Sequence, residues 1–600
     1  MIILKELIIY SKKNHKKQER DLLEIDNDDL EFFGHLTHGK EFLNIPSFQI
    51  GNKTILEWFE INGFSSWWFI SPVIHPKYKE AMVFIDRLNL IIKQFNPEII
   101  TLRGIFDKKS LIEQICKLNK IKFNISNNKY FEFNTKNKIK SSLKKSYYKK
   151  IFSEKNKKRI KYYDKKTFQN LNPGYALILS PGIYRRTNFD PILKKSAIEE
   201  FYVKPFLDYF KTNNIEMLCV DVDYTFRGTT ETLTNRIQSN ENWIALEDIL
   251  LHYNFHPENL SKLKKKIIEL TKYDLSDAFR YKQISLWDFL KPTFRSIFLE
   301  PYIPFYFEIL NKFELFLKST KPSIIIQVYE AGPYAKSIEL AAKKLGIKTI
   351  GIQHGLIPSD YPDYMAKEIQ NDQFPLGNIV PDLTLVFGPF YHRLLTEKGG
   401  YLKPNVKSIG NPTFYNIKKM QETLSKTLTK NSKKSILIPL SFRLIKKTPD
   451  REILDELFSN FKSSNDIQIL IRPHPGDSIS QNDFKNLYPS ENFILTSNSL
   501  VEDLYLSDLV ILLPTSTVST ESILFKKPVI LVDILNNNEI DHVYLSMVEH
   551  NLAKIISLNQ IKQTIDSIFQ NDIIIDEKNW KNFVNDFFNY DKKIDFSEFL

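Results

Sequence analysis

Two short blocks, far apart in the chain, carry the residues best suited to chemistry. The first is Gly351-Ile352-Gln353-His354-Gly355; the second is Arg472-Pro473-His474-Pro475, followed by Leu513-Pro514-Thr515-Ser516-Thr517-Val518-Ser519-Thr520-Glu521. Arginine offers a rigid fork of donors matched to phosphate, and an imidazole nearby donates to another phosphate oxygen or to a ribose. Pro473 and Pro475, one on each side of His474, keep that backbone extended. Hydroxyl residues at a helix start cap exposed amides, and amides and dipole together attract an anion. Five hydroxyls in six positions, Thr515 to Thr520, exceed what capping requires. Arg472, His474, Ser516, Thr517, Ser519 and Thr520 are therefore expected to hold phosphate. Glu521, one turn into the helix, either accepts from ribose hydroxyls or supports the helix start.

In the first block Gly355 permits close backbone approach to a ligand. The segment that follows, Ser359 to Met365, is aromatic, acidic and proline-punctuated, as a substrate-contacting loop would be, and Gln353, Gly355, Asp360 and Tyr361 are the expected substrate-loop residues. His354 and Glu330 are the candidate proton acceptors; Glu330 could equally be an acid placed at a helix start. Asp221-Val222-Asp223 also follows an apolar run, in the manner of a carboxylate pair that holds a divalent ion on a diphosphate. Short acidic patterns arise often by chance, and no metal and no cofactor is expected. No Gly-rich phosphate loop, dinucleotide fingerprint, zinc spacing or nucleophile elbow occurs.

Each block ends a run that reads as a buried strand, and open α/β sheets bind ligands beyond the carboxyl ends of their strands. From Ser323 to Val328, Ala335 to Leu345 and Lys348 to Ile352 the pattern is strand, helix, strand, the unit that builds a right-handed parallel crossover. Strands at Leu383–Phe387 and Val406–Ile409 continue it. The same alternation restarts with strands at Ile436–Ile438, Ile467–Ile471, Leu509–Leu513 and Val529–Val532. Continuous Ile/Leu/Val runs suit parallel strands covered on both faces. The expected fold is α/β: two doubly wound, Rossmann-like domains facing a cleft, with an elaborated N-terminal half.

The expected boundaries are 1–135 for an N-terminal α/β region, 136–166 for a basic linker, and 167–412 for the acceptor-side domain. The nucleotide-sugar-binding domain is expected over 435–575 and a helical tail over 576–600. Six hundred residues exceed one hydrophobic core. No apolar stretch reaches the roughly 18 residues of a membrane-spanning helix. The start of the chain reads as a first strand, not a signal peptide, and Cys116 and Cys219 read as reduced core thiols of a cytosolic protein.

The net charge is +12, and residues 136–166 contain fourteen Lys or Arg against two acids, so this segment accounts for the imbalance. Ile139, Leu143, Tyr147 and Ile151 recur every fourth residue within it, which would draw an apolar stripe along a basic helix. Such a helix either lies on an anionic membrane, with Lys144, Lys145, Lys149 and Lys150 as contacts, or is a solvated linker. Nucleic acid is not an expected partner, since no binding motif accompanies the charge.

At these residues the chain resembles glycosyltransferases of the GT-B fold that build bacterial and archaeal surface polysaccharides, most strongly over residues 320–535. Capsule Kdo transferases, bacterial sialyl- and polysialyltransferases and teichoic acid glycerophosphotransferases share a His-Pro motif and a downstream Ser/Thr-rich motif. Here these are similar to His474-Pro475 and Ser516 to Thr520. Glu330-Ala331-Gly332 is similar to the acidic pair before glycine that supplies the base in the sialyltransferases, although it lacks the second acid. A Gln-His-Gly block like residues 353–355 recurs among surface-carbohydrate proteins. The resemblance implies a nucleotide-sugar donor, CMP-linked sugars among the candidates, a glycan or lipid-linked acceptor, and a cytoplasmic enzyme peripheral to the inner membrane face. A nucleotide-sugar 2-epimerase of the same fold and a non-catalytic polysaccharide- or membrane-binding protein are the alternatives.

Overall fold

The computed structural model describes residues 6–10, 17–19, 22–26, 39–103, 107–126, 171–190, 193–222, 230–239, 241–253, 258–299, 302–430, 432–441, 449–461, 466–474, 480–488, 493–514, 516–534, 540–570, 575–590 and 598–599. The basic segment 136–166, with Lys144, Lys145, Lys149 and Lys150, lies outside the described residues, as do Asp223 and Thr515. The chain forms two compact units. One comprises chiefly Met1–Lys155 and Pro257–Phe307, the other chiefly Asn156–His256, Glu308–Lys446 and Asp450–Leu600.

In the first unit, strands β1 (Glu6–Tyr10), β2 (Lys17–Glu19), β3 (Leu22–Asp26), β4 (Ile99–Arg103) and β5 (Lys122–Ser126) make a sheet of order β2-β3-β1-β4-β5. All its pairings are parallel except β2 with β3. Helix α1 (Trp67–Phe95) buries Trp67, Phe69, Tyr78 and Phe84. Residues 257–307, expected inside the 167–412 domain, instead cluster with this unit. Polar contacts tie them to α1. The Tyr78 hydroxyl donates to the carbonyl of Arg280, and the buried Asp86 receives Tyr281 and Lys282, each at 2.8 Å. Helix α2 (Lys109–Leu118) buries Leu111, Ile112, Ile115 and Cys116.

The second unit holds two sheets. In the seven-stranded sheet, β6 (Ala176–Ser180) leads into an antiparallel hairpin of β7 (Arg185–Asp190) and β8 (Lys195–Glu200). Then come β9 (Met217–Asp221), helix α3 (Thr230–Ile237), β10 (Trp243–Ala245), β11 (Ile324–Val328), α4 (Pro333–Lys343), β12 (Lys348–Ile352), β13 (Leu383–Val386), α5 (Pro389–Glu397) and β14 (Val406–Ser408). The sheet order is β10-β9-β6-β11-β12-β13-β14, parallel throughout. The strand order reverses between β6 and β11, the crevice where open α/β sheets take ligands.

The six-stranded sheet contains β15 (Lys434–Pro439), β16 (Ile467–Arg472), β17 (Phe493–Leu495), β18 (Leu509–Leu512), β19 (Val529–Val532) and β20 (Ala553–Ile556). Its order, β17-β16-β15-β18-β19-β20, is again all parallel and reverses between β15 and β18. Every residue of β6, β11, β18 and β19 is buried, because helices cover both faces. The two expected Rossmann-like sheets are present. The lysine-rich stretch between them, residues 411–434, contains a helix, Ile417–Thr427, because Ile417, Met420 and Leu424 fall on one buried face.

The expected C-terminal tail contains helix α9 (Glu577–Phe588). It packs back on the seven-stranded lobe, where the Phe587 and Phe390 rings stack at 4.3 Å and Asp586 receives Arg393 at 2.8 and 2.6 Å. Gly388 makes that approach possible, since a Cβ there would stand 2.2 Å from the Asp586 carbonyl oxygen. The same helix reaches the other lobe through Trp580, whose indole donates to the Ile523 carbonyl at 2.7 Å. Among the described residues no helix is long and apolar enough to cross a membrane.

Candidate functional site

The carboxyl ends of β6, β11 and β12 bring the first block together. His354 leaves β12 half-buried, its imidazole 4.3 Å from the Tyr329 ring and 5.8 Å from the Tyr184 ring. The Tyr202 hydroxyl donates to its backbone carbonyl. Gln353 is fully buried and its amide is committed to the local backbone. Its oxygen accepts from Phe387 N at 2.8 Å and its nitrogen donates to the Gly355 carbonyl at 2.6 Å. These bonds brace the turn that presents His354 and Gly355.

Glu330 follows β11 but folds inward. It is fully buried over Gly351, where a Cβ would lie 2.5 Å from the Glu330 side chain. One carboxylate oxygen accepts from the Tyr364 hydroxyl at 2.8 Å, while the other is buried without a hydrogen-bond partner among the described residues. Burial pushes the carboxyl up to about 7, with the Tyr364 bond pulling the other way. Asp360 is also buried, and the Tyr361 hydroxyl hydrogen-bonds the side chains of Tyr329 and Asp363.

Asp221 ends β9 and is buried against Arg236 of α3 at 2.8 Å. That guanidinium also takes Glu200 at 2.6 Å, donates to the Ser180 carbonyl at 2.9 Å and lies 4.1 Å from the Trp243 ring centroid. Asp221 thus serves a buried ion-pair network. Among the described residues no group of three or more His, Cys, Asp or Glu is placed to hold a metal ion. Both cysteines are buried and free.

On the facing lobe Arg472 ends β16, next to the β15/β18 reversal. Its Nη1 donates to Asp503 and to the Asn498 carbonyl, each at 2.7 Å, which fixes one end of the fork. Asp503 sits in helix α6 (Leu500–Leu506) and also receives Thr496 at 2.7 Å and Asn498 at 3.1 Å. His474, two residues beyond Arg472, is half-buried.

Helix α7 (Val518–Leu524) follows β18, and its hydroxyls behave differently from the expected caps. Ser519 and Thr520 are buried and donate back to the carbonyls of Ser516 and Thr517, each at 2.9 Å; Ser522 donates to Val518 at 2.6 Å. Serine and threonine hydroxyls within a helix commonly return to the preceding turn in this way. Thr517, the cap residue, makes no side-chain cap bond. The Ser516 hydroxyl meets Val518 N only at 3.4 Å. Ser516 and Thr517 are half-buried at the rim, whereas Ser519, Thr520 and Glu521 lie behind it.

The two switch points meet. A Cβ at Gly355 would stand 3.4 Å from Thr517 Cγ2. Helix α8 (His542–Glu549) begins at Asp541, whose carboxylate receives Ser359 N at 2.8 Å and the Ser359 hydroxyl at 2.7 Å. The β7/β8 hairpin reaches α6 through a 2.6 Å bond from the Ser196 hydroxyl to Glu502. Tyr184, Tyr202, Tyr329 and Asp541 belong to this site but escape a reading by motif, whereas Tyr364 lies in the expected substrate loop. Tyr329, directly before Glu330, and Asp541, a helix cap, carry a local signal.

No protein-family model matches the chain, and no curated protein sequence matches it. Solved structures with similar coordinates include the S. aureus MnaA-UDP co-structure, 12% identical with a TM-score of 0.39 over 70% of this chain and 93% of that one. A Methanocaldococcus jannaschii UDP-GlcNAc 2-epimerase in complex with UDP-GlcNAc and UDP is 13% identical, TM-score 0.39, over 69% and 98%. The wall teichoic acid polymerase TagF is 13% identical, TM-score 0.36, over 76% and 94%. Likenesses this distant assign neither a substrate nor a reaction to this chain.

Proposed function

We propose that the protein is a glycosyltransferase that moves a sugar from a nucleotide-activated donor to a surface glycan or lipid-linked acceptor. The observation that carries this reading is the approach of Gly355 to Thr517. It sets an imidazole-bearing strand end opposite a strand end with an arginine, a histidine and hydroxyls. Transfer requires both: the departing nucleotide phosphate needs positive charge and donors, and the acceptor hydroxyl needs a proton acceptor. Arg472, His474, Ser516 and Thr517 take the phosphate in this reading. His354 takes the proton, because it is half-buried whereas Glu330 is fully enclosed. Glu330 holds the floor of the crevice, where burial raises its carboxyl to about 7. Asp360 and Tyr361 shape the acceptor side from behind Tyr329. Segment 136–166 brings the enzyme to an anionic membrane surface and so to a lipid-linked acceptor.

The test pairs binding with turnover. A nucleotide that binds only the native state raises the melting temperature by mass action, so CMP, CDP, UDP and GDP are screened first. Free nucleotide released from the matching sugar donor only when acceptor is present supports transfer. Formation of an epimer without acceptor establishes the 2-epimerase alternative, and binding of glycan without either product establishes a non-catalytic one.

A further inference from the structure

Tyr329 has a backbone φ of +63°. Every other non-glycine residue at positive φ among the described residues is Asn or Lys. The left-handed region is costly for a bulky side chain, and such outliers concentrate where surrounding structure holds them for a purpose. This one stands at the carboxyl end of β11, at the reversal of strand order.

Three contacts hold the ring. A Cβ on Gly332 would lie 2.9 Å from Tyr329 Cε1 and 3.0 Å from Cδ1. Gly332 itself has φ −68° and ψ 149°, a conformation open to any residue, so it is the overlying ring, together with the Tyr329 carbonyl oxygen at 3.1 Å, that leaves no space there. The Tyr329 side chain is hydrogen-bonded to Tyr361, which is in turn bonded to Asp363. The ring then meets the His354 imidazole at 4.3 Å and an interplanar angle of 60°.

We propose that Tyr329 is a positioning residue: its strained backbone, the bare Gly332 and the Tyr361–Asp363 chain wedge its ring against His354 and fix the imidazole for proton abstraction. The catalytic part rests on the assignment of His354 under the proposed transfer reaction; the positioning of the imidazole does not.

Two substitutions disturb the same contact from opposite sides. Tyr329→Gly removes the ring and relieves the backbone, which favours folding at this φ. Gly332→Ala keeps Tyr329 and displaces its ring with a methyl group. The readout independent of activity is the rate at which diethyl pyrocarbonate modifies His354 in the full-length protein, followed by peptide mass spectrometry. Both variants are expected to raise that rate several-fold. Both should also lower kcat about tenfold at unchanged donor KM, the pattern of a group acting in the transition state, while Tyr329→Phe, which keeps the ring, recovers most of kcat. An unchanged modification rate in both variants overturns the positioning role. A raised KM at unchanged kcat overturns its catalytic use. A raised modification rate in both variants of a protein whose wild type transfers no sugar retains the wedge and discards the transferase reading, so the two failures are distinct.

Discussion

Asp541 and Ser359 join the two lobes of the second unit through two hydrogen bonds to one carboxylate oxygen, at 2.8 Å from the Ser359 amide and 2.7 Å from its hydroxyl. The other oxygen caps α8 by accepting from Val543 N at 2.9 Å. Burial works against this charge, but bonds from His542, Ser359 and Val543 outweigh it and hold the carboxyl below its usual range.

Asp541→Ala should therefore destabilise the protein by about 2–3 kcal/mol, since it strips both a cap and a charge-assisted pair. Ser359→Ala should cost about 1 kcal/mol, and the double variant less than the sum. Because the folded pKa is depressed, this contribution is present above the unfolded value near 3.8 and fades as pH falls through the lower folded value. Chemical denaturation of the four proteins measures the coupling; strict additivity would show that the Ser359 contact contributes nothing.

Glu330 predicts the opposite pH dependence. Its folded pKa, about 7, lies above 4.5, so the native state holds a proton that the unfolded chain has released. Stability from this site falls as pH rises from 4.5 to about 7, by roughly 3 kcal/mol over the window. Glu330→Gln, which cannot ionise, should melt relatively higher than wild type at pH 8 than at pH 5. Parallel melting curves at both pH values would contradict a buried, protonated Glu330.

Arg472→Ala and His474→Ala should each weaken nucleotide binding about ten- to a hundredfold, the effect of losing one charge-assisted hydrogen bond. The arginine variant should also lose stability, because Asp503 would remain buried without its cation. Calorimetric titration that finds wild-type affinity in both variants would remove them from the site.

Arg236 is buried between Glu200 and Asp221, and its replacement removes the cation that both carboxylates share, leaving Glu200 to its 3.2 Å pair with Arg185. Arg236→Ala should cost about 3–5 kcal/mol. Activity should persist in excess chelator, since Asp221 is already engaged. Loss of turnover on chelation, restored by a divalent ion, would reopen a metal role for the Asp221 region.

The basic segment makes a separate prediction. Replacing Lys144, Lys145, Lys149 and Lys150 with Gln should reduce binding to anionic vesicles while nucleotide affinity stays the same, each surface cation contributing about 1 kcal/mol. Equal partitioning of the wild type onto neutral and anionic vesicles would favour a solvated linker.

Local sequence determined the strands, helices and strand-end blocks of both Rossmann-like sheets. Runs such as Ile324–Val328 and Leu509–Leu512 are apolar at every or nearly every position, and such continuity is what burial on both faces demands. Shorter or mixed strands, Trp243–Ala245, Phe493–Leu495 and Ala553–Ile556, carry too little pattern to stand out, as does the hairpin from Arg185 to Glu200. Helix Ile417–Thr427 is masked by its lysines although its buried face is regular.

Only tertiary structure decided what the site residues do. His354 lies among Tyr184, Tyr202 and Tyr329, brought from three separate stretches of chain by the order β6-β11-β12. Glu330 turns inward because Gly351 on the neighbouring strand leaves room for it, and Ser519 and Thr520 turn their hydroxyls back because the helix supplies acceptors one turn earlier. Asp541 reads locally as a helix cap, yet its second oxygen spans two lobes to Ser359. Periodicity records which side of an element is buried, whereas these contacts join residues distant in sequence, and packing between elements alone sets their distance and direction.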